Sequence, residues 1–349
     1  MKQWNLWNLL LAAIALNFFI PAEGNTIPYS PYEWRQQGPW IELEADVLCW
    51  NTSLNHMDVL AVVTQDGDAT DVKYKSLEGN LESGIKIAIV APDVFHSWNA
   101  GSSYYRLHST SSKTKRFKHA DANNGIVSPM VYNKSNFANI WQHGKASSDL
   151  LYNEWDLILS CNLSCGRYQE FSPYFGLAGL QIQHEIEEKF SHAVPRNDIP
   201  THSKVKVDWD LKSSAVGLRV GTKYAYQINS CLKFIADGNM SLLESNDTIV
   251  NTQTLLVNGK NSDTLAFKDD SCSHQVYGYH LSLGIVYNAS TCGWNYKMHL
   301  GYELVGWYNL SNQRVFFGND IKSGQINSSS TRDRTLSLNG LVAGCSMIF

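Results

Sequence analysis

Long runs of alternating apolar and polar side chains constrain this chain more than any other feature of its sequence. In the segment 40–50, apolar residues occupy the odd positions, whereas Glu42, Glu44 and Asp46 occupy even ones. Successive side chains of a β-strand point to opposite faces, so the two faces of this strand meet different media. The same alternation predicts ten strands, over residues 40–50, 82–91, 98–108, 152–162, 170–183, 212–226, 230–243, 274–288, 294–308 and 335–349.

The connections between these strands alternate between short and long. The short ones cover residues 92–97, 163–169, 227–229 and 289–293. The long ones, which are rich in Ser, Asn, Asp and Lys, cover residues 51–81, 109–151, 184–211, 244–273 and 309–334. An antiparallel meander whose turns differ in length at its two ends gives this pattern.

The medium around the apolar face follows from strand length. A soluble β-sandwich has the same alternation, but its strands are usually about five or six residues long. A tilted strand that crosses a bilayer needs about nine to eleven residues, and several segments here reach that length. Tyr277 and Tyr287 share the apolar parity, as do Tyr296 and Tyr308, at the spacing expected of aromatic girdles. We therefore predict an all-β fold, an antiparallel transmembrane β-barrel of about 10 strands with short periplasmic turns and long outer loops.

The N-terminal sequence indicates export. Lys2 precedes the apolar stretch 9–20, and small residues precede the expected cleavage after Gly24. We therefore predict a signal peptide over 1–24 and a single barrel domain over 25–349. The full chain has 349 residues and a net charge of −4. Its mature part has no basic cluster, so we expect no nucleic-acid partner. The expected partners are the lipid of a bacterial outer membrane and small solutes or ions.

The last residue of the chain is aromatic and lies on the apolar parity of the last strand. Phe349 resembles the C-terminal signal by which bacterial outer-membrane barrels are recognised for insertion. From this resemblance we expect the barrel-insertion machinery to be a further partner of the chain.

The order of several motifs resembles a known family. The motifs are Trp40-Ile-Glu-Leu-Glu-Ala-Asp-Val-Leu-Cys-Trp50, Ser172-Pro-Tyr-Phe-Gly-Leu-Ala-Gly179, Val216-Gly-Leu-Arg-Val-Gly221 and Leu336-Ser-Leu-Asn-Gly-Leu-Val-Ala-Gly344. In this order they resemble the Legionella-type pore-forming outer-membrane proteins. This family also includes the major-outer-membrane-protein-like proteins of environmental chlamydiae. The resemblance implies an outer-membrane barrel that forms a pore for passive diffusion.

The polar parity is expected to line the lumen, because a charge facing mid-membrane lipid costs about 2–4 kcal/mol. Two interpretations remain open: the charges line water and bias ion passage, or they pair across a narrow barrel and plug it. A non-conducting adhesin or structural envelope protein is the alternative function. The expected lumen-lining residues are Glu42, Glu44, Asp46, Lys86, Glu154, Asp156, Arg219, Lys233, His280, Lys297, His299 and Glu303, with Arg106 and Asp237 as further candidates.

Enzyme motifs are weak. The sequence has no G-x-S-x-G, Walker A, G-x-G-x-x-G or H-E-x-x-H pattern, so we expect neither catalysis, a cofactor nor a metal. A barrel hydrolase with residues at its outer rim remains the less favoured alternative.

The seven cysteines of the chain suggest cross-links to envelope proteins. Four of them, Cys161, Cys165, Cys231 and Cys292, fall near the predicted periplasmic turns, where disulfides would form. Reduced, buried cysteines that act as small hydrophobic residues are the alternative.

Overall fold

The structure is a computed structural model of the chain. It describes residues 41–349 except 55–57, 67–68, 78, 96–97, 118–119, 121–123, 129–139, 165–167, 194–202, 271–272, 292–293, 311 and 321–324. The predicted signal peptide lies outside the described residues, as do Trp40, Cys165, Cys272 and Cys292. No helix among the described residues has the length and hydropathy needed to cross a bilayer.

The described residues form strands connected by turns and irregular segments. The strands are β1 (Glu42–Leu54), β2 (Asp58–Asp66), β3 (Ala69–Ser76), β4 (Leu81–Phe95), β5 (Trp98–Arg116), β6 (Gly125–Val127), β7 (Trp141–Cys161), β8 (Leu163–Ser164), β9 (Gln169–Ala193), β10 (Lys204–Gln227), β11 (Leu232–Val257), β12 (Lys260–Asp270), β13 (His274–Thr291), β14 (Trp294–Tyr308), β15 (Asn312–Asp320), β16 (Gln325–Asp333) and β17 (Leu336–Ile348).

Ten of these strands close into an antiparallel barrel, which confirms the predicted fold. The order around the ring is β1, β4, β5, β7, β9, β10, β11, β13, β14 and β17. The ring closes where β17 pairs with β1, with Glu42 opposite Ile348 and Leu54 opposite Leu336. Closure leaves no barrel strand with an unpaired edge, which is the condition for crossing a bilayer with strands.

The outer face of the barrel carries a band of exposed apolar side chains. Leu300 is 60% exposed and Leu218 is 63% exposed, whereas their strand neighbours Arg219 and His299 turn inward. Tyr277, Tyr287 and Tyr308 lie on this outer face, and so does Phe349. Such a surface is stable only in contact with lipid.

Several strands are longer than the alternation of the sequence predicts, and the largest extensions lie at the long-loop end, whereas β4 and β13 extend by a few residues at the short-turn end. The predicted segment 170–183 is part of a strand of 25 residues, and all but the first two residues of 230–243 are part of one of 26 residues. Beyond the apolar band, Ile186 and Phe190 still point inward, but Glu185 and Glu187 face outward. The prediction ended these strands where the outward side chains become polar, which marks the edge of the membrane rather than the end of the strand.

The long connections also contain strands, which the sequence analysis did not predict. β2 pairs with β3 and with β6, and β6 pairs with β7, so the sheet continues beyond the barrel. Val59 and Leu60 of β2 are fully buried in a cluster with Trp141, Ile186 and Phe190. The first long connection therefore packs against the inner face of the extended strands.

Candidate functional site

The lumen contains the charged side chains that the sequence assigns to it. The twelve lumen-lining candidates all lie on the inward parity of their strands, as Asp237 does. The further candidate Arg106 does not. It is exposed on the outer face of β5, because its neighbour Tyr105 occupies the inward position.

One buried ion-pair network connects β7 with β10. Arg219 donates to Glu154 over 2.5 Å and to Asp156 over 2.9 Å, and its Nε donates to the hydroxyl of Ser241 over 2.8 Å. Glu154 also accepts a hydrogen bond from Tyr152. Each charge is thereby paired, as charges removed from water require.

A second group lies where β1, β4, β17 and β14 are neighbours. The ammonium of Lys86 lies 2.5 Å from Glu44 and 3.1 Å from Asp46. His299 Nε2 lies 3.0 Å from the other oxygen of Asp46. Gly344 on β17 lies between these strands, and a Cβ there would come within 2.1 Å of Asp46. The missing side chain gives the imidazole and the carboxylate room to meet.

Acidic side chains outnumber basic ones in this part of the lumen. Lys297 lies 2.6 Å from Glu42, and His280 lies 3.5 Å from Glu303. Among the described residues, eight acids and five bases face inward at this level, besides the two histidines: Glu42, Glu44, Asp46, Glu154, Asp156, Glu170, Asp237 and Glu303, against Lys86, Arg219, Lys223, Lys233 and Lys297.

Aromatic side chains close the lumen above the charged layer. The indole of Trp307 donates a hydrogen bond of 3.1 Å to Tyr152 OH, although β14 and β7 are five places apart in a ring of ten strands. The rings of Tyr105 and His280, also from opposite strands, lie 5.7 Å apart between centroids. These contacts join opposite walls, and the side chains of Trp50, Tyr105, Tyr152 and Trp307 are buried, so protein fills the lumen at this level.

A third bridge crosses the lumen nearer the long-loop end. Arg334, which precedes β17, lies 3.1 Å from His184 Nδ1 on β9 and stacks 4.2 Å from the ring of Trp209. The other nitrogen of His184 lies 2.7 Å from the hydroxyl of Ser148. All four side chains are buried, so this layer also is filled by protein.

The sequence matches the model of a protein family. A model of the family described as the Legionella pneumophila major outer membrane protein precursor matches residues 36–349. The chain belongs to this family. Its members are outer-membrane proteins, which agrees with the closed barrel and with its exposed apolar band.

Solved structures of low similarity also match this family member. The outer membrane protease OmpT from Escherichia coli is 11% identical, with 90% of this chain and 99% of that chain covered and a TM-score of 0.41. A major outer membrane protein from Thermus thermophilus is 11% identical, with 90% and 100% covered and a TM-score of 0.32. No curated protein matches the chain.

The side chains that close the lumen of this family member were missed by the sequence analysis. Trp50, Tyr105, Tyr152 and Trp307 lie on the same parity as the lumen charges, and this was the available signal. Trp50 is fully buried inside the barrel, so it does not belong to an aromatic girdle. Four cysteines, Cys49, Cys161, Cys231 and Cys345, are described and carry free thiols.

Proposed function

We propose that this family member is an outer-membrane pore for passive diffusion of ions or small hydrophilic solutes, closed in the state described above. The charged lumen supports this proposal. A buried ion pair is often no more stabilising than apolar side chains of similar volume, so a barrel that serves only as a scaffold has little need of one. Rings of charged side chains are one of the means by which pores select ions.

Water reaches the charged layer from the short-turn end, which is periplasmic in bacterial outer-membrane barrels. The side chain of Lys297 is 32% exposed there, and that of Glu44 is 23% exposed. Above this vestibule, Trp307 and Tyr152 meet across the barrel. Conduction therefore requires both the aromatic layer and the Arg334–His184 layer to part, and the excess of acids favours cations.

Single-channel recording tests this proposal. The detergent-refolded mature chain is incorporated into a planar bilayer, after a heat-dependent shift in gel mobility has confirmed that the barrel is folded. We expect rare current steps with cation selectivity, which become more frequent or larger in the double variant Tyr152→Ala and Trp307→Ala. The matched control removes two tyrosines from the lipid-facing surface, Tyr277→Ala and Tyr308→Ala, and leaves the conductance unchanged. Because the layer around Arg334 and His184 also fills the lumen, the double variant is recorded with and without Arg334→Ala, and a folded triple variant that stays silent would contradict the pore.

A second candidate is a non-conducting barrel that acts at the cell surface through its long connections. The three bridges across the lumen favour it, because they leave the wild-type barrel filled. Silent barrels together with loss of host-cell binding on deletion of a long outer connection would support this function instead.

We infer that the Ser148–His184 pair is not the catalytic centre of a hydrolase. An arginine N–H can only donate, so Arg334 makes Nδ1 of His184 the acceptor and leaves the ring proton on Nε2. Nε2 then donates to Ser148 and cannot take the proton of its hydroxyl, as a general base must. We expect no ester or peptide hydrolysis by the refolded chain, and hydrolysis that is lost in Ser148→Ala would contradict this inference.

A further inference from the structure

Three potential metal ligands meet inside the lumen. Glu44 and Asp46 come from β1 and His299 comes from β14, and one ligand atom from each lies within 4.8 Å of the others. The strand between them carries Gly344 at the facing position, so no side chain separates the two walls. The three ligand atoms can meet because Gly344 has no side chain, and not only because several acidic residues lie nearby.

The environment of the Asp46 carboxylate also indicates that it binds a ligand. Its side chain is 0% exposed, and neither of its carboxylate oxygens accepts a hydrogen bond of normal geometry. Lys86 Nζ and His299 Nε2 approach the two oxygens, at 3.1 and 3.0 Å, without hydrogen-bond geometry. A buried carboxylate with both oxygens in this condition is suited to coordinate a cation.

The electrostatics of the lumen favour an additional positive charge. Inward acids exceed inward bases among the described residues, and Lys86 is the nearest fixed cation to both carboxylates. The ammonium of Lys86 is carried on a flexible stem and also lies 5.6 Å from the centre of the Tyr105 ring. It can therefore leave the carboxylates and remain close to an aromatic face, which attracts cations.

We propose that Glu44, Asp46 and His299 form a binding site for a divalent transition-metal ion of the zinc class, which replaces the ammonium of Lys86. One imidazole nitrogen and two carboxylate oxygens are a donor set that Zn²⁺ accepts, with a fourth position open to water. The partly exposed Glu44 and Lys86 place the site within reach of the short-turn mouth of the barrel.

Calorimetric titration of ZnCl₂ into the refolded mature chain, prepared without a histidine tag, tests the site. We expect one ion per chain. The variant His299→Ala removes a direct ligand and should weaken zinc binding about tenfold or more. Mutation of a residue that only orients a metal ligand already lowers metal affinity by about tenfold or more. The matched control His108→Ala removes an exposed histidine from the outer face of β5 and should bind zinc as the wild type does.

The variant Lys86→Met gives the opposite prediction. It removes the competing ammonium and keeps all three ligands, so it should bind zinc more tightly than the wild type. Wild-type protein that binds no zinc would overturn the proposal, and so would a folded His299→Ala variant with wild-type affinity. Should His299→Ala fail to fold, affinity of Lys86→Met equal to or below that of the wild type overturns it. None of these readouts depends on conduction.

Discussion

Trp307 lies against Gly278, its cross-strand neighbour on β13. A Cβ on Gly278 would come within 2.3 Å of Trp307 Cζ3. The same relation recurs at the next pair along these strands, where a Cβ on Gly306 would come within 2.2 Å of Tyr279. Glycine is thus placed opposite large rings, and at Gly278 the space it leaves holds the indole that reaches across the lumen.

The variant Gly278→Ala should displace the indole of Trp307 and weaken the barrel. Forcing an extra methyl into a well-packed site costs about 1–3 kcal/mol. The free energy of unfolding in lipid vesicles, measured by denaturant titration of tryptophan fluorescence, checks the expected loss. Gly238→Ala is the matched control, because its Cβ would meet only the side chain of Leu281, at 3.2 Å. Equal stability of the two variants would contradict the argument.

The variant Arg219→Met should destabilise the barrel strongly. It leaves Glu154 and Asp156 buried without their cation, and removal of one partner of a buried ion pair costs about 3–5 kcal/mol. The same denaturant titration measures the change. Adding Glu154→Gln and Asp156→Asn to Arg219→Met removes the unpaired charges and should recover most of the loss. A single variant as stable as the wild type would show that the network is not needed for folding.

Stability should depend on pH through Glu188. This residue lies near the loop end of β9, beyond the apolar band, and burial raises its pKa to about 8 although Ser128 donates to it. The folded state therefore keeps a proton that the unfolded state releases, and stability falls as pH rises from about 4.3 to 8. Glu188→Gln should remove this penalty and gain roughly 1.4 kcal/mol over the wild type for each pH unit in that window.

A neighbour of Glu188 provides the control for this pH dependence. Glu187 faces outward, and the hydrogen bond from Lys189, with a further contribution from Lys206, lowers its pKa. The stability that Glu187 contributes is present above the pKa of its unfolded state and is lost as pH falls through the pKa of its folded state. The pH dependence is therefore opposite in sign to that of Glu188. The unfolding free energy of Glu188→Gln and of the control Glu187→Gln is measured against the wild type between pH 4 and 9. A constant difference between Glu188→Gln and the wild type would contradict the assignment.

Thiols at the short-turn end of the barrel should form disulfides between chains. Cys161 ends β7 and Cys231 precedes β11, and among the described cysteines neither has a disulfide partner. In an oxidising compartment such thiols are open to pairing. Non-reducing gels of native envelopes should show high-mass species that collapse on reduction and diminish in Cys161→Ser and Cys231→Ser. Cys345→Ser, on the lipid-facing parity, is the control, and identical gels with and without reductant would contradict the prediction.

The sequence was sufficient for the number of barrel strands and for the face of the lumen-lining candidates except Arg106, where the alternation of β5 is less regular. In β4, for example, Ile85 and Ile87 face lipid while Lys86 faces inward, as their alternation predicts. It was not sufficient for the contacts across the lumen. Arg219 meets Glu154, which is 65 residues away, because the stagger of the closed ring brings them together, and no local pattern encodes that stagger.

The seam of the barrel has a kinetic consequence. Nine of the ten ladders join strands that follow one another around the chain, but the tenth joins β1 to β17, and Ile41 exchanges backbone hydrogen bonds with Phe349. This contact spans nearly the whole sequence, so its loop-closure entropy is the largest in the molecule. The ring therefore cannot close until the last strand is present, and the first strand must be kept from aggregating until then.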